Sequence, residues 1–317
     1  MSARPAKPVV LVTGADLAPE AQSVLADFEL AYAGRAPNED DLVRLCGQHD
    51  PVAIIVRYGK ITRRIIDACR SLKVISKHGS GIDTIDVETA AARGIAVKAA
   101  AGANAAAVAE HTWALILACA KSVTYLNERM HAGHWDKATH KTLELEGLTL
   151  GLIGLGAIGA RVAAIGTAMG MRVVAYDPYV KSPPPAVTLQ SVDEVIANAD
   201  VLSLHCPLTV ENRGMLDRAA FARMRDGAIL VNTARGGLID DAAMLEALAS
   251  GKLRAAGLDS FAAEPPPADH PLRGVKGLTL SPHIGGVTAA AYTKMGVGAA
   301  RNIVDALANH PAAAPTH

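Results

Sequence analysis

The stretch LTLGLIGLGAIGARVAAIGTAMGMRVVAYD, residues 148–177, decides how the rest of the chain is read. Leu148–Ile153 reads as an apolar strand leading into the turn. Gly154, Gly156 and Gly159 follow at GxGxxG spacing, then a helical segment from Ile158 to Met169 that Gly170 ends. A second strand, Arg172–Tyr176, finishes against Asp177, about twenty residues beyond the last glycine, where a ribose-binding acid belongs. The three glycines serve different ends. The first makes the tight turn, the second lets backbone approach a pyrophosphate, and the third packs helix on strand. The helix N-terminus supplies partial positive charge. A chain with 28 glycines produces bare GxGxxG matches by chance; the preceding strand, the following helix and the terminal acid are what make this one specific. Asp177 would accept hydrogen bonds from ribose hydroxyls and repel a 2′-phosphate, and Pro178-Tyr179-Val180 brings no arginine. NAD is therefore expected rather than NADP, with Lys181 near enough to leave NADP tolerance open.

Outward from this unit the pattern repeats. Val9–Val12, Val52–Val56, Leu72–Ile75 and Ile95–Val97 read as buried parallel strands, separated by helical segments Ala18–Phe28, Glu39–Cys46 and Thr62–Cys69. The Ala-rich segment Ala105–Ala120 reads as a long buried helix leaving that first series. Further strands are expected at Val201–His205, Ala228–Asn232, Ala255–Leu258 and Leu278–Ser281, with Asp240 as an N-cap, Asp226-Gly227 as a turn and a last helix from Thr288 to about His310. Strand–helix alternation over 317 residues predicts an α/β protein of about two domains.

Composition excludes other classes. Lys plus Arg and Asp plus Glu both number 31, so no basic surface invites nucleic acid or an anionic membrane. Aromatics at 3% leave few stacking platforms for single strands. Cys46, Cys69, Cys119 and Cys206 have no CxxC or zinc-ligand spacing, so reduced thiols and no metal are expected. Residues 1–8 carry Pro and charge where a leader peptide needs an apolar core, and the run Trp113–Ala120 is far short of the ~20 residues that span a bilayer. A soluble, cytoplasmic protein is expected.

Three later residues share a setting. Arg235, Glu264 and His283 each follow a predicted strand, and strand C-termini line the ligand crevice of a doubly wound sheet. Singly, each has an ordinary reading as a surface ion pair, a loop end or a solvated imidazole. Together beside a nicotinamide site they are what a reversible keto-acid reduction requires: a guanidinium to clamp a carboxylate and a His–Glu pair to handle the proton.

These motifs, with Lys77-His78-Gly79-Ser80-Gly81-Ile82-Asp83, Asn104 to Thr112 and His205-Cys206-Pro207-Leu208-Thr209, resemble the D-isomer-specific 2-hydroxyacid dehydrogenase family along nearly the whole chain, most closely its 3-phosphoglycerate dehydrogenase and hydroxypyruvate/glyoxylate reductase branches. The resemblance implies two doubly wound parallel-sheet domains: a Rossmann cofactor domain, 102–286, inserted into a flavodoxin-like substrate domain, 1–101 with 287–317. It implies that Arg235 binds the substrate carboxylate, His283 is the acid/base and Glu264 orients it. Ser80, Gly81, Asn104 and Arg57 become substrate contacts. Ala157, Ile158, Asp177, Cys206, Pro207, Thr233, Ala234, Asp259 and Gly286 match cofactor contacts, Asp259 facing the carboxamide. Arg57 and Lys60, with Lys137 from a neighbouring subunit, are candidates to meet a substrate phosphate. A homodimer is implied, through Ala105–Lys121 and Thr124–Thr142, with His131 and His134 structural. The chain's end after the last helix implies no serine-binding regulatory domain. Gly286 departs from the phosphoglycerate-type pattern, and Glu264 disfavours formate oxidation, where the family carries Gln. An NAD(H)-sensing binding protein of the corepressor type, or a nicotinamide enzyme of another acid such as a phosphonate oxidant, are the alternatives.

Overall fold

A computed structural model describes residues 7–309; the leader reading of residues 1–6 and the expected helix end at His310 lie outside the described residues. The chain separates into two compact units, one ending at Asn104 and resuming at Val287, the other running from Ala105 to Gly286.

The first unit alternates β1 (Val9–Val12), α1 (Pro19–Val24), β2 (Glu29–Tyr32), α2 (Glu39–His49), β3 (Ala53–Val56), α3 (Arg63–Asp67), β4 (Val74–Lys77), α4 (Val87–Ala92) and β5 (Ala96–Ala99). Its sheet is parallel in the order β2-β1-β3-β4-β5. β1 and β3 are apolar and nearly wholly buried because helices cover both faces. Asn38 and Asp41 form a reciprocal capping box that starts α2. β2 has no counterpart among the strands expected from sequence; it is a half-exposed edge strand, so its residues carry no continuous apolar run. β4 sits two residues later than expected, since Leu72 packs in the core ahead of the ladder that begins at Ala53 and Val74.

The second unit contains α5 (Ala105–Lys121), α6 (Val123–His131), β6 (Thr149–Ile153), α7 (Ala157–Ala168), β7 (Arg172–Tyr176), β8 (Val187–Leu189), α8 (Val192–Asn198), β9 (Val201–Leu204), α9 (Arg218–Arg223), β10 (Ala228–Asn232), α10 (Asp241–Ala249), β11 (Leu253–Leu258) and β12 (Leu278–Leu280). The parallel order is β12-β11-β10-β9-β6-β7-β8. β6 and β9 are neighbours although two strands separate them in sequence, so chain direction across the sheet reverses there and opens a crevice at their C-termini. β8, a three-residue edge strand, likewise has no expected counterpart. α5 lies against α7, β10 and β11, where Trp113, Ile116 and Cys119 join a core with Leu150, Val162 and Val231. Close packing here requires glycine: a Cβ at Gly166 would come within 2.6 Å of Leu150 and 3.3 Å of Trp113.

α11 (Ala289–Ala308) belongs to the first unit and packs on α1, β4 and β5 through small residues such as Ala299 and Ala300. Thr288 caps it through the Ala291 N–H.

Candidate active site

The turn after β6 shows why its glycines sit where they do. Gly154 has φ +101°, and a Cβ there would meet the His205 carbonyl at 2.6 Å and the Cys206 nitrogen at 2.9 Å, across the β6/β9 crevice. A Cβ on Gly159 would overlap the Gly154 carbonyl oxygen at 2.2 Å, so the helix can start this close to its strand only without one. Gly156, the N-cap of α7, differs: it is exposed and nothing lies within 4 Å of where its Cβ would be. The helix therefore presents uncapped N–H groups to open space, flanked by Ala157 and Ile158. The Asp177 carboxylate accepts from the Leu155 N–H at 2.8 Å and the Tyr179 N–H at 2.9 Å. Each oxygen keeps a lone pair for a hydroxyl donor. A bare helix N-terminus beside a fixed carboxylate fits a dinucleotide's pyrophosphate and ribose.

The other side of the crevice follows β9. His205 is half-buried as a residue, its Nε2 2.9 Å from Ser203 Oγ, and desolvation of the imidazole holds it neutral with a pKa of about 4. Burial also pushes the Cys206 thiol up to about 11. Asn212 Nδ2 donates to the Pro207 carbonyl at 2.8 Å, fixing that turn.

Arg235 follows β10. Asn232 shapes its loop by accepting from the Ala234 N–H at 2.9 Å and donating to the Arg235 carbonyl at 2.8 Å. Thr233, predicted as a cofactor contact, directs its hydroxyl to Thr112 of α5 at 2.9 Å. A Cβ on Gly236 would lie 2.1 Å from the Phe261 carbonyl carbon, so the Arg235 loop and the loop bearing Glu264 are in backbone contact.

Glu264 and His283 meet directly: the imidazole Nδ1 is 2.7 Å from Oε2, while Oε1 accepts from the Phe261 N–H at 2.9 Å. Burial alone would raise the Glu264 pKa. The His283 and Phe261 hydrogen bonds and the charges of His283 and Arg235 outweigh it, holding the carboxyl below its ordinary value. The same hydrogen bond raises the His283 pKa; burial and Arg235 oppose the rise, and the charges of Glu264 and Asp259 support it. An ionised carboxylate only accepts, so Nδ1 carries a proton toward Glu264 and Nε2 is left for other chemistry. Arg235 thus acts electrostatically on both partners, and the structure brings together the three strand-end residues.

His283 holds φ +51°, unusual for a residue with a side chain. What imposes it is Asp259, which is buried and accepts from Ser281 Oγ at 2.6 Å, the Ile284 N–H at 2.9 Å and the Gly285 N–H at 2.8 Å. His111 of α5 completes the cluster, with Nε2 2.8 Å from Ser281 Oγ and 3.3 Å from Asp259. Gly286, predicted at the cofactor, ends this strapped loop. Sequence reasoning gives His111 no role; its only signal there is membership of the Glu110-His111-Thr112 block.

In the first unit Ser80 Oγ donates to Asn104 Oδ1 at 3.2 Å, joining the ends of β4 and β5. The N–H groups of Ser80 and Gly81 take no hydrogen bond among the described residues. Arg57, following β3, is turned inward: its side chain is 10% exposed and its guanidinium contacts both the carboxylate and the backbone carbonyl of Asp16. Lys60 is exposed. Among the described residues no group of three or more metal-binding side chains exists, and no helix is long and apolar enough to cross a membrane.

Residues 113–285 match the sequence profile described as "D-isomer specific 2-hydroxyacid dehydrogenase, NAD binding domain". The chain is similar to the hydroxypyruvate reductase of Thermotoga maritima, 39% identical over 278 residues that cover 87% of this chain and 90% of that protein. It is similar also to the D-3-phosphoglycerate dehydrogenase of Archaeoglobus fulgidus, 38% identical over 84% of this chain but only 51% of the relative, so the chain spans about half that protein's length. Among solved structures, a glyoxylate reductase from Paecilomyes thermophila superimposes with a TM-score of 0.86 at 30% identity, covering 96% of both chains.

Proposed function

The chain belongs to the D-isomer-specific 2-hydroxyacid dehydrogenase family of NAD-dependent oxidoreductases, and from that premise we propose that it interconverts small 2-keto and D-2-hydroxy acids of the glyoxylate, hydroxypyruvate or 3-phosphohydroxypyruvate type. NAD(H), when bound, supplies or takes up the hydride at the substrate's C2. Gly154, Gly156, Ala157, Ile158, Gly159 and Asp177 would hold it on one side of the crevice; Cys206, Pro207, Thr233, Ala234, Asp259 and Gly286 on the other. Asp259 has a second duty, since three of its hydrogen bonds fasten the His283 loop.

The observation that carries the catalytic assignment is the 2.7 Å His283–Glu264 contact under the influence of the Arg235 charge. Arg235 clamps the substrate carboxylate, a role suited to a planar fork of donors. Nε2 of His283 gives a proton to the carbonyl oxygen in reduction and removes it in oxidation. Ser80, Gly81 and Asn104, in the unit proposed to bind substrate, are the further carboxylate contacts. A homodimer is supported by the exposed apolar side chains of Tyr125, Met130 and Trp135 on and after α6.

The reading is tested by NADH consumption against glyoxylate, hydroxypyruvate, 3-phosphohydroxypyruvate, pyruvate and bulkier 2-keto acids, repeated with NADPH. Turnover of at least one acid, with NADH favoured, is expected. No turnover across the panel with NADH binding intact would replace catalysis by an NAD(H)-sensing role.

The electrostatics of the pair make a second prediction. Glu264 raises the His283 pKa, so protonated imidazole, the acid form for reduction, persists to higher pH. In Glu264→Gln that support is lost, and the falling limb of the reduction profile should move to lower pH. Oxidation, which needs neutral imidazole, should gain its rising limb at lower pH for the same reason. Profiles of kcat/KM in both directions check this; coincident limbs in wild type and variant would remove Glu264 from the role.

A further inference from the structure

In a parallel sheet ordered β2-β1-β3-β4-β5, the chain leaves the adjacent strands β1 and β3 in opposite directions, so a crevice opens at their C-terminal ends. The loop after β1 carries Asp16 and the loop after β3 carries Arg57. Arg57 is therefore the cation placed where this unit would receive an anionic ligand group. Its surroundings determine what it can offer.

The guanidinium is built in on every side. Its Nη1 donates to the Asp16 backbone carbonyl at 2.5 Å and to the Asp16 carboxylate. Its carbon lies 4.9 Å from the Tyr292 ring centre and 5.2 Å from that of Tyr58. Its chain runs over Gly14, where a Cβ would come within 3.0 Å. Tyr292 Oη, from α11, donates to the same Asp16 oxygen at 2.7 Å. Arg57 is 10% exposed and Asp16 69% exposed, so the group that faces solvent over this cation is a carboxylate. The Tyr292 and Arg57 hydrogen bonds hold the Asp16 pKa below its usual value, so the carboxylate stays charged.

Neighbouring groups do not restore the positive charge. His78, its ring 5.4 Å from that of Tyr292, is kept neutral by burial and by the Arg57 charge, with a pKa of about 4. Lys60 and Arg35, the second of which acts on the Asp16 carboxylate, are exposed, where solvent and salt screen them.

We propose that Asp16 is a specificity-determining residue: by occupying Arg57 and covering it with negative charge, it excludes phosphate-bearing 2-keto acids and directs the enzyme to monoanionic ones of the glyoxylate and hydroxypyruvate kind. The inference rests on the proposed function and on the expectation, implied by the family resemblance, that Arg57 contacts substrate. A ligand carrying only a carboxylate does not need this cation, because Arg235 supplies another. A ligand with an additional phosphate meets the Asp16 carboxylate instead of the guanidinium.

Asp16→Asn removes the charge while keeping an oxygen for Tyr292, and Asp16→Ala serves should that variant misfold. Wild type should favour hydroxypyruvate over 3-phosphohydroxypyruvate in kcat/KM, and Asp16→Asn should shift the ratio about tenfold toward the phosphorylated acid, the change one unmasked charge contact gives. The shift should vanish in Asp16→Asn/Arg57→Gln. Calorimetric binding of 3-phosphoglycerate, which needs no turnover, should follow the same order. Equal wild-type use of both acids, or an unchanged ratio and unchanged 3-phosphoglycerate binding in an active Asp16→Asn, would overturn the inference while leaving the proposed function intact. Failure of every protein to reduce any keto acid would instead remove the proposed function, with the binding series still deciding whether Asp16 masks Arg57.

Discussion

His283→Gln is expected to lower kcat for 2-keto acid reduction by about 10²–10⁴-fold, the range that loss of a positioned general acid brings. Glutamine keeps a polar side chain near Glu264 but has no group that exchanges a proton near neutral pH. The loop itself should survive, because its fastening runs through Asp259 to Ser281 and to the Ile284 and Gly285 N–H groups rather than through the imidazole. NADH affinity, measured by fluorescence titration, should accordingly stay within about twofold of wild type, since the Asp259 bonds that hold the loop do not involve the imidazole. A variant retaining full turnover would end the acid/base assignment. One that lost NADH affinity in parallel would indicate that His283 supports the cofactor site instead.

The second large effect separates two glycines of the same motif. Gly154→Ala forces a side chain onto φ +101° and drives it to 2.6 Å from the His205 carbonyl. The backbone strain alone is about 1–3 kcal/mol, and overpacking against main chain adds about as much again. The thermal midpoint should fall by roughly 5 °C or more for a unit of this size, and NADH binding should fall with it. Gly156→Ala has φ −72°, an ordinary value, and open space around the new methyl. Its stability should be unchanged within about 0.5 kcal/mol, while NADH affinity drops because the methyl takes up the approach to the α7 N-terminus. Calorimetry and NADH titration of both variants check the contrast. Equal destabilisation would mean that Gly156 serves packing, and undiminished NADH affinity in Gly156→Ala would move the pyrophosphate elsewhere.

Residue types and short spacings specify the parts whose physics is local. A turn that admits only glycine, a helix N-terminus left bare for an anion, an acid closing the next strand and central strands apolar on both faces are all written in residue types and short spacings. The strand-end placement of Arg235, Glu264 and His283 was legible for the same reason, since each lies in the loop that follows a readable strand. Edge strands β2 and β8 were not legible, whereas β5 and β12, also at sheet edges, were. Long-range pairings depend on how the whole unit packs. His111 reaches Ser281 across 170 residues, and Arg57 meets Asp16 across 41. Such contacts depend on sheet register and on which helix covers which face, and those are settled by the packing of the whole unit. That is why Arg57 could be placed in the substrate loop from sequence, while the carboxylate that covers it came into view only with the fold.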